Sequence, residues 1–81
     1  MDDVEAGKAA FLKLLAEVAP GARAVIPSAA TQDNFLIAVS TAGGRAFLTV
    51  PEDDLIDMVD DDAIADAVRA RIEEALAKIG G

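Results

Sequence analysis

Eight carboxylates, Glu52, Asp53, Asp54, Asp57, Asp60, Asp61, Asp62 and Asp66, fall within 15 residues that contain no Lys or Arg. Side chains of this kind can hold a hard cation, exchange protons in catalysis, draw in a basic partner, or stabilise the starts of helices. Their spacing separates these uses. A calcium loop of EF-hand type alternates its donors as D-x-D-x-D-G and closes on a Glu at position twelve. The run Asp60-Asp61-Asp62 has neither the alternation nor the Gly, so no metal site is expected. Paired carboxylates can run hydrolysis without His, but only in a pocket that fixes their separation and raises one pKa by burial. A chain of 81 residues has little core in which to build such a pocket. No G-x-G-x-x-G and no Walker Lys is present, so neither an enzyme nor a bound cofactor is expected.

The remaining uses are electrostatic. Outside the acidic segment the chain has seven acids and seven bases, so its whole net charge of -8 belongs to residues 52–66. A field focused in this way repels nucleic acid and accelerates encounter with a basic protein surface. All eight acids, from Glu52 to Asp66, are therefore candidate partner-binding residues. A local explanation stands beside this one. Acids in the first turn of a helix are stabilised by the macrodipole, and two successive helix starts, at Pro51 and Asp61, would account for six of the eight. That explanation leaves the complete lack of compensating Lys or Arg unaccounted for.

Composition narrows the classes further. There is no His and no Cys, which excludes a Ser-His-Asp triad, an imidazole base, a thiolate nucleophile, a disulfide framework and a zinc knuckle. The longest apolar run, Phe35 to Val39, is five residues, against roughly 20 for a membrane span, so no membrane partner is expected. Met1-Asp2-Asp3 shows neither a basic n-region nor a long apolar stretch, and the expected location is cytoplasmic. Apolar residues make up 53% of the chain, which argues for a folded core despite the charge.

The elements that must position these residues follow from periodicity. Val4, Phe11, Leu14, Leu15 and Val18 form the stripe of an amphipathic helix over residues 2–18, with Asp2 and Glu5 spaced as a capping box and Pro20-Gly21 as its stop. Gly7 inside it implies either a frayed first turn or a close crossing by another backbone, and fraying is the expectation. Residues 22–26 suit an edge strand ended by Pro27, and residues 28–34 a loop. Phe35 to Thr41 and Arg45 to Val50 read as a hairpin turning on Gly43-Gly44, with partners that sum to 87, such as Val39 and Leu48. Thr49-Val50-Pro51-Glu52 reads as a capped helix start. Leu55, Ile56 and Met58 give that helix an apolar side, and Ile64, Val68, Ile72, Leu76 and Ile79 form a stripe reaching Gly80-Gly81. Either one bent helix or two helices fit this stretch. Arg69 with Glu73 and Glu74 with Lys78 are spaced as surface pairs.

The order α-β-β-β-α(α) makes a small two-layer α+β domain over residues 1–81: a three-stranded antiparallel sheet with helices on one face. Double-stranded RNA-binding domains share that order but need a basic face, and no base lies between Arg45 and Arg69. In the hairpin, Phe35, Ile37, Val39, Ala46, Leu48 and Val50 share the core face. Leu36, Ala38, Ser40, Ala42, Arg45, Phe47 and Thr49 share the other, which nothing in the chain is left to cover. Leu36, Ala38 and Phe47 are therefore candidates for self-association as a homodimer. Two functional expectations result. The first is a non-catalytic acidic binding module, a small inhibitor or adaptor that docks on a basic, nucleic-acid-handling protein. In size and acidity the chain is similar to phage-encoded inhibitors such as anti-CRISPR proteins and DNA mimics, a likeness of type that no motif carries. The alternative is a self-associating structural or regulatory subunit whose acids confer solubility.

Overall fold

The computed structural model describes residues 3–80 and shows the order α-β-β-β-α-α. Helix α1 spans Asp3–Val18, strands β1, β2 and β3 span Arg23–Val25, Asn34–Thr41 and Gly44–Pro51, and helices α2 and α3 span Glu52–Asp57 and Asp62–Gly80. Two helices thus meet at the acidic segment. The capping role of Asp2 lies outside the described residues. The sheet is antiparallel throughout, with β2 central between β1 and β3.

One face of the hairpin, Phe35, Ile37, Val39, Ala46, Leu48 and Val50, is buried against Phe11, Leu14 and Leu15 of α1 and Val68, Ile72 and Ala75 of α3. That is the face the alternation assigns to the core. The turn itself differs. Thr41 pairs with Gly44, so the two-residue turn is Ala42-Gly43 and partners sum to 85: Val39 faces Ala46 and Ala38 faces Phe47. The Thr41 hydroxyl accepts a hydrogen bond from the Gly43 amide at 3.1 Å, and Gly44 takes φ +148° as it re-enters the strand. A single-residue slip would have exchanged the faces, whereas this slip of two preserves them.

Three further expectations are corrected. Thr49 is not a helix cap, because β3 continues to Pro51, which pairs with Asn34. Pro51 occupies the position before α2 and supplies no side-chain cap. Gly7 is buried rather than frayed: a Cβ built there would collide with the Leu55 carbonyl, so α2 crosses α1 at that point. Only a residue without a side chain permits this approach. Arg69 turns from Glu73 to Glu17 on α1, at 3.5 Å, and ties α3 to α1. In the loop, Thr31 and Asn34 exchange backbone hydrogen bonds around Gln32 and Asp33, both at positive φ, which closes a tight turn before β2.

Candidate functional site

The chain of causes starts at Gly7. Because α2 lies directly on that glycine, the first turn of α1 is drawn against the end of α2. Four residues, Met58 to Asp61, then connect α2 to α3. An open hollow of about 550 Å³ results, lined by the acids Asp3, Asp57, Asp60, Asp61 and Asp62 and by the apolar Ala6, Ile56 and Val59. Val59 is 46% exposed and stands beside these carboxylates.

Four of the eight acids singled out by sequence therefore meet here. The others do not. Glu52 lines a separate hollow of about 410 Å³ with Glu5 and Asp33, Asp53 is exposed, Asp54 is half-buried within α2, and Asp66 is exposed one turn along α3. Asp3 joins the site from 54 positions away, and no local pattern announces it.

Asp61 has a demonstrable structural task. Its Oδ1 accepts hydrogen bonds from the amides of Ala63 at 3.0 Å and Ile64 at 3.4 Å, which makes it the N-cap of α3. Asp62 follows in the first turn, where the helix dipole favours a negative charge. Asp57 and Asp60 have no such local role. The backbone amides of Asp60 and Asp61 bond back to the Asp57 carbonyl at 3.1 and 2.9 Å, which fixes the loop while its carboxylates remain exposed. The ion pairs Lys8–Glu5 and Arg69–Glu17 both lie outside the acidic segment. Among the described residues no three acids are placed to share one metal ion. The arrangement is an open acidic rim around the apolar Ile56 and Val59.

A second surface is the outward face of the sheet. Val25, Ala38 and Phe47 are direct cross-strand neighbours, and Leu36 lies in the next row opposite Thr49. Val25 is 71% exposed, and Leu36 and Phe47 are each 58% exposed. Val25 was beyond sequence reasoning, since the register of a three-residue strand has no signature in composition. Among the described residues no helix is long and apolar enough to cross a membrane. Compared with family models, curated proteins and solved structures, the chain matches none.

Proposed function

We propose that the protein is a non-catalytic binding module that docks through its acidic hollow on a basic protein surface, as a small inhibitor or adaptor does. The observation that supports it most is that Asp3, remote in sequence, joins Asp57, Asp60, Asp61 and Asp62 around the apolar Ile56 and Val59. Helix capping explains Asp61 and favours Asp62. The same helix-start effect favours Asp3 in the first turn of α1, but it accounts for neither Asp57 nor Asp60, nor for their meeting Asp3 in one hollow beside the exposed Val59. A nucleic-acid-handling protein, with a groove built to accept phosphates, is the class of partner whose surface offers the matching charge. Anti-CRISPR proteins and DNA mimics are examples of that mode.

The test uses Asp57→Asn, Asp60→Asn and Asp62→Asn together, leaving the Asp61 cap in place. Basic proteins retained from native lysate at roughly 50 mM salt should be released at roughly 500 mM, because the Debye length falls from about 14 to about 4 Å. The triple variant should bind the recovered partner with a several-fold slower association rate and little change in dissociation. Retention of no basic protein, or unaltered kinetics in the variant, overturns the reading.

A second reading, self-association of a regulatory or structural subunit, is favoured by one observation. Among the described residues, three of the five exposed large apolar side chains, Val25, Leu36 and Phe47, lie on the outward face of the sheet.

A further inference from the structure

The outward sheet face is the exception on a chain of net charge -8: it carries Arg23 and Arg45 around Val25, Leu36 and Phe47, with no Asp or Glu among its strand residues. We infer that its occupant is a second copy of the chain, stacked face to face with the strands of the two sheets antiparallel. This rests on the self-association reading and adds the arrangement and the residues that select it.

Charge argues first for the face. Two chains of net charge -8 repel one another, and contact is opposed least where the strands present no carboxylate and the acid bordering the face beside Phe47 and Thr49, Glu74, lies between Arg71 and Lys78. Charge also chooses the arrangement. Arg23, Ser40 and Arg45 form one row across the sheet at its hairpin end. A two-fold pair can superpose like ends of the sheets or opposite ends. Like ends place Arg23 of each copy on the partner's Arg45, so four guanidiniums crowd together. Opposite ends carry each arginine row over the uncharged Asn34–Pro51 row, next to which Asp33, Glu52 and Asp53 begin. The two middle rows, Val25–Ala38–Phe47 and Leu36–Thr49, then cover one another.

Size sets the strength. Three strands with at most eight residues each present a flat area of at most roughly 400 Å². A standard stable interface buries about 800 Å² per partner, so the dimer is a weak one that exchanges with monomer in the micromolar range or above.

Sedimentation of the full chain over about 10 µM to about 1 mM tests this, read by interference optics because the chain has no Trp or Tyr. The expected result is a reversible monomer–dimer equilibrium that tightens as salt is raised, since screening relieves the repulsion between the two acidic chains. Binding at the acidic hollow has the opposite salt dependence, so the two surfaces are told apart. Phe47→Glu should sediment as monomer throughout with an unchanged circular dichroism spectrum, and Val25→Glu repeats the test from another strand. Arg45→Glu should raise the dissociation constant at least about threefold, because it brings a new acid toward Asp53. A wild-type monomer at the highest concentration overturns both self-association and its arrangement, and so does a dimer that survives both apolar substitutions. A dimer lost with Phe47→Glu but tightened or unchanged by Arg45→Glu overturns the antiparallel arrangement alone.

Discussion

Gly7 is the residue on which the acidic hollow depends. In an isolated helix Ala would be favoured over Gly by about 1 kcal/mol. Here the missing Cβ is the space that the Leu55 backbone occupies, with the Leu55 carbonyl carbon 2.9 Å from where that Cβ would stand. The two effects oppose one another, and the contact wins because the obstacle is backbone that cannot rotate away. Gly7→Ala is therefore expected to destabilise the fold by about 1 to 3 kcal/mol, measured by urea denaturation followed by circular dichroism. A stabilised variant would show that α1 and α2 separate easily. Asp61 teaches the same caution about function. Its carboxylate is committed to two amides, so its substitution reports on α3 before it reports on any partner.

At the scale of elements, the hairpin separates the roles of two adjacent glycines. Gly44 takes φ +148°, a conformation that L side chains rarely adopt. Gly43 has no positive φ, and a Cβ there would meet the Ile79 Cγ2 methyl at 3.4 Å, at the near limit of ordinary van der Waals contact. Gly44→Ala is expected to lower stability by about 1 to 2 kcal/mol. Gly43→Ala should change it by less than about 0.5 kcal/mol. Paired thermal melts of the two variants check this, and equal costs would argue against the Ala42-Gly43 turn. The outer edge of β3 is managed by α3, whose Arg71 guanidinium donates to the Thr49 carbonyl at 3.0 Å. A backbone acceptor left open on an edge strand invites pairing with another chain, and this contact occupies one. Growth of the sheet at that edge is thereby discouraged.

At the scale of the whole molecule, charge works against the compact state. Eight acids without a base in residues 52–66 repel one another across the α2–α3 junction, and salt screens that repulsion. The melting temperature should therefore rise by several degrees between roughly 10 and roughly 500 mM sodium chloride, measured at a protein concentration where the chain is monomeric. The triple Asn variant at Asp57, Asp60 and Asp62 should show a smaller rise, since part of the repulsion has been removed. A salt-independent melt would mean that the acids are too far apart in the folded state to feel one another.

Sequence alone determined the order of helix and strand segments and the inner face of the hairpin, while leaving open whether the C-terminal stretch is one bent helix or two. These follow from local rules: a period of two in a strand, a period near 3.6 in a helix, and breakers such as Pro20-Gly21 at the ends. It determined equally where the net charge lies. Tertiary structure decided which residues remote in the chain meet. The burial of Gly7, the entry of Asp3 into the acidic hollow, the turn to Glu17 by Arg69 and the exposure of Val25 beside Phe47 each depend on how one element is placed against another. Periodicity repeats along a single element and carries no record of its neighbour, so contacts between elements were not legible. The hairpin register marks the boundary between the two. The alternation of apolar residues identified the buried face, while the two-residue difference in pairing was set by the Thr41 hydroxyl and the φ of Gly44 at the turn.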